Sequence, residues 1–187
     1  FVMSEVKDIQ FDKRKIVFDN RPSIEYSKTI LNCGCSTKVS EEFAELVKKD
    51  IACTIRPFIQ SYEFIKNEDA FNTKKELPFV ITGSGLGALE IAFALRKRWK
   101  YRKIILNCNP IKISRRFLKS LEILNIQIKE EMNFDYKKVL LCTGNSPHSW
   151  IKNSILKLDN NGRIIKDKYL SCILYTSPSP RDGFTSR

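Results

Sequence analysis

Gly83, Gly85 and Ala88 fall at the first, third and sixth positions of a G-x-G-x-x-[GA] pattern inside the run Pro78-Phe79-Val80-Ile81-Thr82-Gly83-Ser84-Gly85-Leu86-Gly87-Ala88-Leu89-Glu90. These residue types at this spacing suit phosphate binding. Gly83 permits a tight turn, Gly85 lets the backbone approach phosphates, and Ala88 is small enough for close helix-strand packing. Phe79, Val80 and Ile81 form a short apolar β-prone run before the turn. After it, Leu89, Ile91, Ala92, Ala94 and Leu95 make the apolar stripe of a helix from Leu86 to about Trp99. The helix brings its free N–H groups and positive dipole end to the glycines, the place where a dinucleotide pyrophosphate would sit. The alternative reading of the same residues is a crossover turn that holds no ligand.

Elements of the kind that position such a turn follow it in order. Lys103 to Leu106 reads as a second buried strand, Ser114 to Leu124 as a helix, Ile126 to Ile128 as a third strand, and Val139 to Cys142 as a return to the sheet that ends at Thr143-Gly144. The pattern β-α-β-α-β predicts a parallel sheet with the glycine turn at its carboxyl edge, where ligands bind in open α/β sheets. Upstream, Val6 to Ile9, Lys15 to Phe18 and a strand through Thr29-Ile30-Leu31 read as an antiparallel meander. Ser40 caps a helix whose first turn holds Glu41 and Glu42 and whose end holds Lys48 and Lys49. A second helical stretch follows Pro57, with Phe58, Ile59, Tyr62 and Ile65 on related faces. Trp150 to Leu156 reads as a short helix, and Asn160-Asn161-Gly162 turns the chain into Arg163-Ile164-Ile165.

Composition excludes several function classes. The 187 residues are 42% hydrophobic and 29% charged, ordinary for a globular protein with a core of its own. No stretch is long enough for a membrane span, and residues 1–6 resemble neither a signal peptide nor a basic presequence. The formal charge of +12 is spread along the chain and interrupted by acids such as Glu41-Glu42 and Glu130-Glu131. No compact nucleic-acid motif accompanies it, so the charge reads as solvated surface, with Arg96-Lys97-Arg98, Lys100, Arg102-Lys103 and Arg115-Arg116 available to attract an anionic cofactor. Six cysteines without a C-x-x-C and a single histidine, His148, argue against a zinc site or a thioredoxin-type pair. Cys108 and Cys142 read as small buried hydrophobes of a reducing compartment, the cytoplasm being favoured.

With the meander, Gly34, the Gly83–Glu90 fingerprint and Thr143-Gly144 in this order, the chain resembles the pyridine nucleotide-disulfide oxidoreductase superfamily, on its type II NADH dehydrogenase-like side. The stretch Thr143-Gly144-Asn145-Ser146-Pro147-His148-Ser149-Trp150 with Leu158 to Ile164 is similar to oxidoreductase domains associated with selenide, water dikinase. The resemblance implies an α/β fold, a Rossmann-like nicotinamide-binding domain with a partial flavin-domain β-meander, and hydride transfer from NAD(P)H to FAD and on to an unidentified electron acceptor. It further implies that Gly83, Gly85 and Ala88 cradle the NAD(P) pyrophosphate, that Glu90 lies near the nicotinamide, that Thr143 and Gly144 approach the cofactor at the next strand end, and that Gly34 does so in the flavin half. By residue number, 1–38 would be the meander, 39–77 a helical connection, 78–147 the NAD(P)-binding domain and 148–172 the return to the flavin domain. Residues 173–187 read as a disordered or non-native tail.

The chain departs from that family in three ways. It has no amino-terminal flavin fingerprint and no carboxyl-terminal Gly-Asp element, so it reads as a fragment. Where the second strand should end in an acid for the ribose, it carries Asn107, Cys108 and Asn109. That leaves NADH or NADPH open, with Arg115 and Arg116 nearby as cations for a 2′-phosphate or equally as the exposed face of the next helix. A nucleotide-binding regulatory module attached to another catalytic domain, such as a selenide, water dikinase, is the alternative function.

Overall fold

A computed structural model describes residues 2–71, 77–131 and 138–168; the tail expected over 173–187 lies outside them, as does Cys172. The chain divides into two compact units, one of residues 1–35 with 146–187 and the other of residues 36–145. The chain crosses from one to the other near β4 (Ser36–Thr37) and β10 (Asn145–Ser146).

In the first unit, β1 (Val6–Gln10) pairs antiparallel with β2 (Lys15–Phe18), and β2 with β3 (Ile24–Glu25). The third strand is therefore Ile24–Glu25 and not Thr29–Leu31. Ile24 and Glu25 pair with Ile16 and Lys15 directly after the Arg21-Pro22 bend, so the β2 edge is taken before the chain reaches Thr29. Of that apolar triad, Leu31 packs beside Ile9, Trp150 and Ile151, whereas Ile30 is 93% exposed. The helix α5 spans only Ser149–Lys152. Arg163 to Ile165 forms no strand; a single bridge joins Leu158 to Ile164 around a turn in which the Asp159 carboxylate accepts the N–H groups of Asn161 and Arg163.

The second unit is an α/β layer built on five strands. β5 (Ala52–Thr54), β6 (Phe79–Thr82), β7 (Ile104–Asn107), β8 (Ile126–Lys129) and β9 (Lys138–Leu141) are all parallel and lie in the order β5-β9-β6-β7-β8. All four residues of β6 and of β7 are buried, as continuous apolar runs in a sheet covered on both faces require. One face carries Phe79, Ile81, Ile104, Leu106 and Leu140 against α3 (Leu86–Arg98), α4 (Arg115–Ile123) and the Phe64-Ile65 side of α2 (Phe58–Asn67). The other packs Val80, Ile105, Val139 and Leu141 against Phe43, Leu46 and Val47 of α1 (Glu41–Lys48). Each such side chain, fully buried, contributes about 1.5–3 kcal/mol.

The apolar residues of α2 do not share one buried face. Phe64 and Ile65 meet the core while Phe58, Ile59 and Tyr62 stay exposed, because the buried Ser61 ties the helix start down through bonds to the carbonyls of Ile55 and Phe58. A buried ion pair holds the next segment, the 3-10 turn Glu68–Phe71, to the sheet. Arg102 is 1% exposed. It donates to the Glu68 carboxylate at 2.6 Å, to the Glu68 carbonyl at 3.1 Å and to the Leu77 carbonyl at 3.0 Å, and it lies over the rings of Trp99 and Phe79. Beside it the Asp69 carboxylate accepts from Arg98 and from the Trp99 indole N–H.

Candidate functional site: the glycine turn at the sheet's carboxyl edge

From β6 the chain steps through α3 to β7 on one side and through α4 to β8 beyond it, while β9 returns to the opposite side of β6. The connection order reverses between β6 and β9. In open α/β sheets the crevice for ligands lies at such a reversal, outside the carboxyl ends of the strands. Gly83 follows β6 and Thr143-Gly144 follow β9, so the two motifs stand side by side at that place.

The glycines differ in what they do. Gly83 has φ +141, and a Cβ on it would lie 2.3 Å from the Cys142 carbonyl oxygen. Its N–H donates to the Asn107 carbonyl at 3.0 Å, and Cys142 N–H donates to the Thr82 carbonyl at 2.8 Å, so the ladder runs on past the formal strand ends and leaves no room for a side chain. Gly83 is thus demanded by the sheet itself. Gly85 has an ordinary φ of −76 as the N-cap of α3, and a Cβ there would meet nothing within 4 Å. Gly87 is equally unobstructed. No side chain caps α3, and its first backbone bonds run from Ala88 and Leu89 N–H to the Gly85 carbonyl. The N–H groups ahead of them have no intrahelical acceptor and open on the same crevice. What the turn presents is a bare helix N-terminus with no side chain in front of it, the form that accommodates a phosphate.

Ala88 is 1% exposed against the sheet, and Glu90 is exposed on the second turn of α3. The Thr143 hydroxyl donates to the Lys38 carbonyl and Gly144 lies exposed at φ +99, its carbonyl accepting from Lys38 N–H. Gly34 sits in the first unit, exposed at φ +70, next to Cys33, whose carbonyl meets the His148 ring at 3.0 Å. Six of the seven candidate residues therefore belong to one unit, and Gly34 to the other.

Asn107 does not face the crevice as a free group. Its amide donates at 3.0 Å to the carbonyls of Lys129 and Glu130 and its oxygen accepts from Thr82, bonds that sew β6, β7 and β8 together. Asn109 is likewise spent, accepting Ile111 N–H in a 3-10 turn. Arg115 and Arg116 are exposed in the first turn of α4, where cations oppose the dipole. The cluster Arg96 to Lys103, read as available to a cofactor, lies at the other end of α3. Thirteen residues at about 1.5 Å each put it ~20 Å from the glycine turn. Burial pushes the Cys142 thiol up to about 12 and that of Cys108 up as well, both away from the reactive thiolate form.

Gly87 and the close approach of Cys142 are the parts that sequence reasoning did not single out. The first was legible as a third glycine in the turn. The second arises from strand order, which no local pattern reports.

Among solved structures the chain is similar to putidaredoxin reductase in its covalent complex with putidaredoxin, at TM-score 0.64 and 16% identity over 84% of this chain and 44% of that one. It is also similar to T. acidophilum thioredoxin reductase, at TM-score 0.60 and 18% identity over 90% of this chain and 61% of that one. The chain has the fold of these reductases. It spans about half of their length. No family model and no curated protein matches it. Among the described residues no helix is long and apolar enough to cross a membrane, and no group of three or more His, Cys, Asp or Glu is placed to hold a metal ion.

Proposed function

We propose that residues 36–145 form the nicotinamide-nucleotide site of a flavin-dependent NAD(P)H oxidoreductase, of which this chain is a part. The observation that carries the reading is the crevice between β6 and β9, where the N-terminus of α3 is uncovered and both Gly85 and Gly87 leave the space above it empty. NAD(P)H, when bound, supplies the hydride. The chain's own residues bind and orient it: backbone N–H groups at Leu86 and Gly87 hold the pyrophosphate, Ala88 lets α3 sit close to the sheet, and Gly144 leaves the β9 end open for the rest of the nucleotide. Glu90, exposed one turn further along α3, is proposed at the nicotinamide side.

NADPH is the nucleotide that the charge pattern favours. Asn107 and Asn109 are committed to backbone bonds, no acid stands at the end of β7, and Arg115 with Arg116 place two cations where the helix dipole alone would select against them.

The flavin half is proposed for the first unit, where Cys33, the neighbour of Gly34, lines a cavity of about 700 Å³. The residues present there do not by themselves suit FAD. The described part offers a meander and two left-handed glycines, Gly34 and Gly162, but no strand-turn-helix to take the flavin's phosphates. The proposed acceptor is a small electron-carrier protein, by analogy with the putidaredoxin reductase that was solved in covalent complex with putidaredoxin. Calorimetric titration of the chain with NADH and with NADPH tests the nucleotide reading: saturable binding, tighter for NADPH, supports it, and a folded chain that binds neither removes it.

A further inference from the structure

At the far end of the sheet from the glycine turn, a cleft of about 280 Å³ opens between the C-terminal ends of α3 and α4. Its polar lining is Arg96, Lys100, Arg102 and Lys103 with the neutral groups Tyr101, Asn125 and Gln127, and among the described residues no carboxylate lines it. The cations are not equivalent. Arg102 is neutralised by the buried Glu68. Arg96 is spent on backbone: its terminal nitrogens donate to the carbonyls of Trp99, Lys100, Arg102 and Asn125 at 2.9 to 3.4 Å, and burial lowers its pKa with no acid beside it. Two helix C-termini bring about half a negative charge each, which together offset one guanidinium. Arg96 therefore balances the helix ends, and its Nε–H, buried, still finds no acceptor among the described residues. Among the described residues no carboxylate pairs with Lys100 or Lys103, whose charges stand at the rim of a concave site whose neutral groups carry N–H and O–H donors.

We infer that this cleft is a second anion site, separate from the nucleotide crevice, that takes a phosphoryl group of the size of pyrophosphate. Lys100 and Lys103 supply the charge, and the amides of Asn125 and Gln127 with the Tyr101 hydroxyl supply directed donors. A carboxylate-bearing ligand meets the same charges and donors but offers two acceptor oxygens where a phosphoryl group offers three, which is why the phosphoryl class fits better. The reading does not depend on NAD(P)H, because α3 keeps the two sites about 20 Å apart.

The test is an NMR titration of the ¹⁵N-labelled chain with inorganic pyrophosphate, and with ADP in a parallel arm. The expected result is a saturable shift of the Asn125 and Gln127 side-chain amides and of the Lys100 to Lys103 backbone, weakened about tenfold or more by Lys100→Glu/Lys103→Glu. Lys100→Gln/Lys103→Gln, a milder pair, is expected to weaken it less, and the unperturbed remainder of each spectrum reports that the variant is folded. ADP shifting the same amides shows that a nucleotide's phosphates serve as well as the free anion. Pyrophosphate shifts confined to residues 84–88, shifts undiminished in both lysine pairs, or no saturable shift at millimolar ligand would each overturn the inference.

Discussion

Two neighbouring glycines allow the demands of the fold to be separated from those of the ligand. In Gly83→Ala the new Cβ would sit 2.3 Å from the Cys142 oxygen and 2.9 Å from its carbonyl carbon, at φ +141. Relief requires β9 to move by nearly an ångström at the centre of a sheet in which β6, β7 and the Val139–Leu141 part of β9 are buried. Backbone strain of about 1–3 kcal/mol and overpacking of about 1–3 kcal/mol give a loss of roughly 4 kcal/mol. At ~2–4 °C per kcal/mol for a chain of this size, the thermal midpoint falls by about 8–16 °C. Gly85→Ala, at φ −76 with nothing within 4 Å, changes stability by less than about 1 kcal/mol, the scale of an N-cap exchange. It nonetheless puts a methyl group where the phosphates approach. Differential scanning calorimetry of both variants, followed by nucleotide titration of Gly85→Ala, separates the effects. A Gly83→Ala protein as stable as the parent, or a Gly85→Ala protein destabilised as much as Gly83→Ala, refutes the assignment.

Other perturbations read different parts of the structure. Arg102→Met strands the Glu68 carboxylate in the core and is expected to cost about 3–5 kcal/mol in urea unfolding, most of it recovered in Arg102→Met/Glu68→Gln. The Arg98 hydrogen bond, and after it the Trp99 indole, hold Asp69 below its ordinary 3.8 against the opposing effect of burial. A lowered folded pKa stabilises above the unfolded value and loses that contribution as pH falls through the folded one, so Asp69→Asn is destabilised relative to the parent at pH 7 and converges with it only as pH falls below 3.8 through the folded value. With a pKa of about 12, Cys142 is about 10⁻⁴ thiolate at pH 8, so iodoacetamide followed by mass spectrometry marks the exposed Cys33 long before Cys142 or Cys108. Arg115→Glu/Arg116→Glu is expected to lower NADPH affinity about tenfold or more while leaving NADH nearly unchanged, by titration calorimetry.

The sequence showed what depends on local pattern. The order of β6, α3, β7, α4, β8 and β9 was legible from apolar runs, helical stripes and the glycines between them, each boundary landing within a residue or two. The edge strand β5 was not, because Ala52-Cys53-Thr54 is too short to show a period and gains its place only by pairing with β9, more than eighty residues away. The third meander strand was placed too late because Thr29-Ile30-Leu31 is the more β-prone triad, whereas pairing went to Ile24–Glu25, the segment that reached the β2 edge first. At the site, Gly83 and Gly85 looked alike as letters; only the position of β9 shows that one answers to Cys142 and the other to open space. Asn107 stood where a ribose partner was sought, and its three bonds to neighbouring strands become visible only once those strands are assembled. Arg102 read as one more surface cation, since its partner Glu68 lies thirty-four positions earlier.

Hydrogen-deuterium exchange of the whole chain with and without NADPH tests the central claim most directly. The account predicts slowed exchange in peptides spanning 83–90 and 142–146 and unchanged exchange across β1 to β3. Protection elsewhere with the glycine turn unaffected, or none at saturating nucleotide, would contradict a nicotinamide-nucleotide site between β6 and β9.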